Sequence, residues 1–152
     1  YKRQNVGVKV KVITGNYRAR YWYHRFVNPA LWNCFHARYL AHQDINELYN
    51  QCAVNLNVHI GQSVEGLNMR FFEVLGSGGL QLVEERRAQS LLGFEPGRDF
   101  LSYSGVEDMK EKIRFSLDHP AHSTVVAQAG YEKSSDHDFL ARGKELLENG
   151  LG

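Results

Sequence analysis

Carboxylates are missing from the first 43 residues: eight Lys or Arg precede Asp44, the first acid of the chain. Cysteine is equally scarce. Cys34 and Cys52 are the only two, and with no CxxC pair they exclude a disulfide framework; they read as reduced thiols of a cytoplasmic protein, one or both buried. No apolar run approaches the ~18 residues that a membrane span requires, and no charged-then-apolar leader opens the chain, so no membrane span is expected. The seven histidines lack the spacing of a metal site, and no metal is expected. No internal repeat occurs. The chain opens at Tyr1 rather than Met and leads quickly into a strand-like run, as a piece of something longer would.

What is present has the composition of one globular domain over residues 1–152. With 43% hydrophobic and 23% charged residues the chain is too apolar for disorder. At this length it buries roughly two-thirds of its unfolded surface without metal or disulfide staples. The net charge of +1 conceals a first part of +8 (residues 1–43) and a remainder of −7. The same first 43 residues hold nine of the eighteen aromatics. Basic charge among aromatics is either a surface for an anionic, ring-bearing partner such as a nucleotide or nucleic acid, or a solvated basic edge over aromatic core residues.

Val6, Val8, Val10 and Val12 alternate with Gly7, Lys9 and Lys11, which predicts a strand stopped by Thr14-Gly15-Asn16. Residues 17–37 show no clean period and read mostly as loop, with a short helix after Pro29; Tyr39-Leu40 reads as a short strand. Asp44 and Glu47 resemble a capping box, with Ile45, Leu48, Tyr49 and Cys52 at helical spacing behind it. Residues 53–60 alternate through Val54, Leu56 and Val58, a second strand. Residues 67–75 predict a helix that Gly76-Ser77-Gly78-Gly79 caps. Short strands follow at 80–83 and 100–103. Ser104 and Glu107 form a capping box before Val106, Met109, Ile113 and Leu117. Pro120 opens a helix to about Tyr131, and Ser135 caps a last one carrying Phe139, Leu140, Leu146 and Leu147. Strands and helices in alternation predict an α/β fold, a parallel sheet covered by helices, with strand 53–60 at its centre. One texture runs against this: buried parallel strands usually read as unbroken apolar runs, and two of these alternate.

In an open parallel sheet ligands bind beyond the carboxyl ends of the strands. Strand 53–60 ends in His59-Ile60-Gly61-Gln62-Ser63-Val64-Glu65-Gly66-Leu67-Asn68, a polar loop feeding a helix. A helix N-terminus offers unpaired N–H groups and a dipole that favours a phosphate, and Gly66 lets the backbone approach closely. Glu65 repels a phosphate unless a hydroxylated group lies between them. Glu65 and Glu73 stand eight residues apart, about two turns along one helix side. Arg70 either reaches a diphosphate or pairs with an acid such as Glu73. Gly76-Ser77-Gly78-Gly79 follows a helix rather than a strand, so it fails the dinucleotide fingerprint.

The stretch from Glu65 to Gly79, Glu-Gly-Leu-Asn-Met-Arg-Phe-Phe-Glu followed by Val-Leu-Gly-Ser-Gly-Gly, resembles the donor-binding signature of group-one glycosyltransferases of the GT-B fold. Two glutamates separated by seven residues and a glycine turn are its marks. Leu-Asn-Met-Arg-Phe-Phe-Glu is closer to the spore-maturation glycosyltransferase-like branch. His137-Asp138-Phe139-Leu140-Ala141-Arg142 is similar to the terminal His-aromatic-x-x-Arg pattern of that branch, one residue longer. Gly97-Arg98-Asp99 and the His119-Pro120 break are similar too, and the resemblance covers about residues 38–148.

The resemblance implies a Rossmann-like sheet with helices on both faces, the C-terminal half of a GT-B fold lacking its first βα unit. It implies a glycosyltransferase donor domain that binds a nucleotide-diphosphate sugar and passes the glycosyl group to an acceptor with retention. Glu65 is then the catalytic residue, touching the sugar hydroxyls and the developing charge at the anomeric carbon. Glu73 holds the ribose hydroxyls, the amides of Gly66, Leu67 and Asn68 hold the diphosphate, and Tyr39 and Leu40 lie where the base is held. His59 and Arg70 complete the donor-binding set. No metal or other cofactor is expected, because helix amides and basic side chains take a cation's place on the leaving diphosphate. The partner is an N-terminal acceptor domain of the same parent chain, and this piece alone is expected to be inactive. Two other readings stand beside it: a nucleic-acid-binding module using the basic aromatic segment, and a non-catalytic remnant that binds a nucleotide or a partner protein.

Overall fold

The computed structural model describes residues 12–14, 35–37, 40–59 and 66–150. The chain divides into two compact units, Tyr1–Ala41 and His42–Gly152. In the first, β1 (Val12–Thr14) pairs in parallel with β2 (Phe35–Ala37), Val12 opposite Phe35 and Thr14 opposite Ala37. The strand expected from Val6 thus reaches Thr14 where it is described, and its earlier residues lie outside the described ones. Residues 35–37, expected as loop, are a strand instead, because a partner strand decides β structure more than local period does. Leu40 is not in a strand, and Tyr39 lies outside the described residues. So do all eight basic residues of the first 43.

The second unit is an α/β arrangement, and its sheet is parallel throughout. It runs α1 (His42–Gln51), β3 (Asn55–Asn57), α2 (Met69–Gly76), β4 (Gln81–Glu84), α3 (Arg87–Leu91), β5 (Leu101–Tyr103), α4 (Val106–Asp118), α5 (Pro120–Ser134), a 3-10 turn (Ser135–His137) and α6 (Phe139–Gly150). The strand order is β3-β4-β5, with Asn55 opposite Gln81, and Leu82 opposite Leu101. The centre is therefore β4. The strand expected to be central is shorter than 53–60 and stands at one side of the described sheet.

Helices cover both faces. Val83 and Phe100 pack with Phe71 and Leu75 of α2 and with Phe94. Leu82 and Leu101 point the other way, onto Val126 and Ala127 of α5, with Met109 and Ile113 of α4 against them. This is the Rossmann-like layering, and it explains why β4 is buried at Gln81, Leu82 and Val83 alike. The closest approach lies at Gly130 of α5, where an added Cβ would stand 2.2 Å from the Asp99 carbonyl oxygen.

Helix ends follow the sequence with corrections. Gly78 takes a left-handed φ of +77° and its N–H donates to the Leu75 carbonyl (2.9 Å), so the glycine run is the cap of α2. Asp44 lies inside the first turn of α1 rather than capping it, where it favours the dipole instead. Gly105, not Ser104, precedes α4; the Ser104 N–H donates to Asp108 (2.9 Å), and Glu107 pairs with Lys110. Ser135 lies in the 3-10 turn, and Asp138 caps the last helix by accepting from the Ala141 N–H. The short helix α3 carries too few apolar residues to have been legible. No helix among the described residues is long and apolar enough to cross a membrane.

Candidate functional site

The carboxyl side of β3 is built from polar residues. Asn55, Asn57 and His59 are buried while Leu56 and Val58 are 44% and 54% exposed, so the alternation of this strand points its polar set inward. Each amide is provided for. Asn55 donates from Nδ2 to the Tyr49 carbonyl (2.8 Å) and the Leu80 carbonyl (3.2 Å). Asn57 Nδ2 donates to Asn68 Oδ1 (3.0 Å), and Asn68 Nδ2 donates back to Asn57 Oδ1 (2.9 Å). Asn68 Oδ1 also accepts from the Phe71 N–H (3.1 Å) as the N-cap of α2. One side chain thus ties the start of α2 to β3, with its amide oxygen accepting twice and its NH2 donating to Asn57.

This cap corrects the expected spacing. The helix begins at Met69, so Gly66, Leu67 and Asn68 precede it, and eight residues from position 65 to 73 are not two turns of one helix. Glu65 itself lies outside the described residues. The first-turn amides belong to Met69, Arg70 and Phe71, and Asn68 takes that of Phe71; the first two are ones the helix's own ladder does not use. Leu67 is half-buried against the Phe71 cluster, and Gly66 is exposed.

Arg70 and Glu73 are exposed on α2, and Tyr49 of α1 lies near enough to feel both charges. Burial pushes the Tyr49 phenol above its ordinary value, with the Arg70 charge opposing and the Glu73 charge adding to it. His59 is buried at 8% exposure with no partner on Nε2 among the described residues. Burial first and Arg86 second depress its pKa below 6.5, against Glu84. Glu84 and Arg86 pair at 3.1 Å past the end of β4, and Tyr103 at the end of β5 feels both and is raised chiefly by burial. The strand ends thus gather His59, Glu84, Arg86 and Tyr103.

Of the expected residues, the structure brings together Gly66, Leu67, Asn68, Arg70 and Glu73 at the start of α2, with His59 at the end of the strand before it. Leu40 falls in the first unit, and Tyr39 and Glu65 outside the described residues. His137 of the terminal pattern packs on Phe94 (4.8 Å between ring centres) and Phe72 (6.1 Å), a wall of the core. Sequence reasoning missed Asn57 and Tyr49. The signal for Asn57 was the polar half of an alternating strand; for Tyr49 it was an aromatic on the helix preceding that strand. Among the described residues no three His, Cys, Asp or Glu stand close enough to hold a metal ion. Cys52 is a free, half-buried thiol.

A family model described as "Glycosyl transferase-like" matches residues 3–148. Comparison with curated proteins gives no match.

Proposed function

The chain belongs to the glycosyl transferase-like family, and from that premise we propose that it is the donor-binding domain of a GT-B enzyme of the spore-maturation branch. Its ligand is a nucleotide-diphosphate sugar, and the glycosyl group passes with retention to an acceptor held by a preceding domain of the parent chain. The observation that carries this reading is the Asn57–Asn68 clamp. It sets a capped helix start beside the carboxyl end of β3, with Arg70 and Glu73 exposed on that helix. In parallel sheets this is where ligands bind.

In this reading the diphosphate lies against the backbone of Gly66, Leu67 and Asn68 and the first amides of α2, with Arg70 beside it. The helix dipole and guanidinium take the charge that leaves with the nucleotide, so no metal is required. Glu73 accepts from the two ribose hydroxyls. Glu65 meets the sugar, where its charge steadies an oxocarbenium-like transition state. His59, neutral at pH 7 because it is buried, offers an uncharged ring nitrogen at the end of the strand.

Calorimetry on this chain tests the binding half. A ribonucleoside diphosphate should bind more tightly than its 2′,3′-dideoxy counterpart, because hydrogen bonds to a charged group are worth about 1.5–3 kcal/mol. Glu73→Gln should remove most of that preference. Equal affinities for the two ligands in the unsubstituted chain refute the ribose assignment. In the parent enzyme Glu65→Gln should lower kcat strongly and leave affinity for the bare diphosphate unchanged, since that ligand has no sugar for Glu65 to touch.

A further inference from the structure

We infer that the Asp108–Lys112 pair of α4 is an edge guard: it closes the outer edge of β5 to an added strand and so keeps two copies of this chain from joining their sheets. The inference is independent of the donor reading, because β4 stands between β5 and the polar edge at β3.

The outward groups of β5 follow from its register. Val83 pairs with Ser102 and Glu84 with Tyr103, and the Tyr103 carbonyl accepts from the Glu85 N–H (3.4 Å). Along a strand the N–H and C=O of one residue point to one side and those of the next to the other. Leu101 and Tyr103 therefore turn their main-chain groups to β4, while Phe100, Ser102 and Ser104 turn theirs away from it. Among the described strands none pairs on that outer side, so β5 ends the sheet.

A turn and two side chains occupy what an added strand would need. The Phe100 carbonyl accepts from the Gly97 N–H (2.7 Å) of the turn before the strand. Lys112 Nζ donates to the Ser102 carbonyl (2.5 Å). Asp108 Oδ2 accepts from the Ser104 N–H (2.9 Å) and from Ser104 Oγ (3.3 Å). Asp108 and Lys112 stand one helical turn apart and pair at 3.4 Å, so each holds the other in place. Within β5 itself this leaves the Ser102 N–H, which has no hydrogen-bond partner among the described residues.

The edge has an apolar floor beside it. Leu101, Asp108, Glu111, Lys112 and Phe115 line a groove of about 290 Å³, and Phe115 is 42% exposed. An unpaired strand next to apolar surface is a template for another chain, and sheets blunt such edges with charged side chains, lysine above all. A second copy is the occupant that the geometry fits. Two β5 edges related by a two-fold axis meet antiparallel with Ser102 opposite Ser102, each giving its N–H to the other's carbonyl. Lys112 on that carbonyl blocks both bonds at once and sets two ammonium groups against each other at the axis.

A plainer alternative is that the pair only fastens α4 to β5. The two differ in what Lys112→Met does, since methionine keeps the apolar stem and removes the donor. Sedimentation velocity over a wide concentration range, with amide hydrogen exchange at Ser102, separates them. The unsubstituted chain, Lys112→Arg, which keeps a donor, and Lys110→Met, which removes the same charge elsewhere on α4, should not associate through this edge. Lys112→Met should self-associate about tenfold more tightly than they do, as two regained hydrogen bonds imply, and its Ser102 amide should exchange more slowly as concentration rises. Asp108→Ala frees the Ser104 N–H and unmoors Lys112, and should act in the same direction whether or not Lys112→Met folds well. The inference is overturned if both variants associate no more than the unsubstituted chain, or if Lys110→Met associates as strongly as Lys112→Met. Association that leaves Ser102 exchange independent of concentration overturns it too, as does an unsubstituted chain that already protects Ser102 by associating.

Discussion

The two sides of one short sheet bury opposite chemistry. Around β4 and β5 the interior is aromatic and aliphatic: Phe71 meets Phe94 and Phe100 edge-on at 5.1 and 5.5 Å, over Val83 and Leu75. At β3 the interior is two asparagines and a histidine. Burial of hydrocarbon is non-directional and large in sum, so the first region holds the layers together without specifying any one loop. Amide pairs are directional and weak in net energy. They add little stability, but they dictate where α2 begins relative to β3. The apolar half of the sheet carries the fold, and the polar half sets where α2 begins.

The contrast is easiest to break in the apolar half. Phe100→Ala removes a fully buried ring and should cost about 3–5 kcal/mol in chemical denaturation. Nucleoside diphosphate affinity of the remaining folded protein should move far less than stability, because the Asn57–Asn68 pair still ties the start of α2 to β3 although Phe71 loses a ring neighbour. A large loss of affinity per folded molecule means that the core, rather than the clamp, sets the site.

Asn57→Leu tests the other half. It leaves the Asn68 amide without its reciprocal partner, at a cost of about 1–3 kcal/mol, less than the aromatic loss. Here affinity should fall several-fold in a calorimetric titration, since the helix start loses its tie to β3. Destabilisation with unchanged affinity would erase the distinction between the two regions.

The same contrast explains what the sequence could show. Elements defined by apolar period or by a capping signal were legible: α2 with its glycine cap, α4 through Met109 and Ile113, α5 from Pro120, and the parallel layering that follows from their order. Position within the sheet was not, because β3 is held by amides whose partners, Asn68, Tyr49 and Leu80, are distant in sequence or on other elements. Nothing in an alternating Asn-Leu-Asn states which side faces in. The objection that buried parallel strands should be apolar throughout is met only in the middle of β4, where Leu82 and Val83 are both buried beside buried Gln81, while β3 leaves one side open. Of the candidate site, the motif named the residues following Gly66, and the structure places them at and before the start of α2. The nearness of Tyr49 to Arg70 and Glu73 was not readable, since it depends on two helices meeting, and Asp108 displaced Glu107 at the α4 start for the same kind of three-dimensional reason.

The smallest effect lies at His59, and it is a slope rather than a loss. Burial and the Arg86 charge hold its folded pKa below the ordinary 6.5, with Glu84 opposing. As pH falls below 6.5 the unfolded chain takes up a proton that the folded chain still refuses, so the unfolded state binds more protons and stability declines with acidity. The decline ends once the folded form also protonates, and above 6.5 the contribution is fully present. For one proton the slope cannot exceed about 1.4 kcal/mol per pH unit. Other histidines titrate in the same window, so the measurement is a difference: melting temperature against pH for the unsubstituted chain and for His59→Gln, which keeps a polar side chain but cannot charge. The unsubstituted chain should lose stability more steeply below pH 6.5, and the two curves should run parallel above it. Parallel curves throughout would mean that His59 accepts its proton as readily folded as unfolded, and the polar edge of the sheet would then be open to water rather than a dry wall for a ligand.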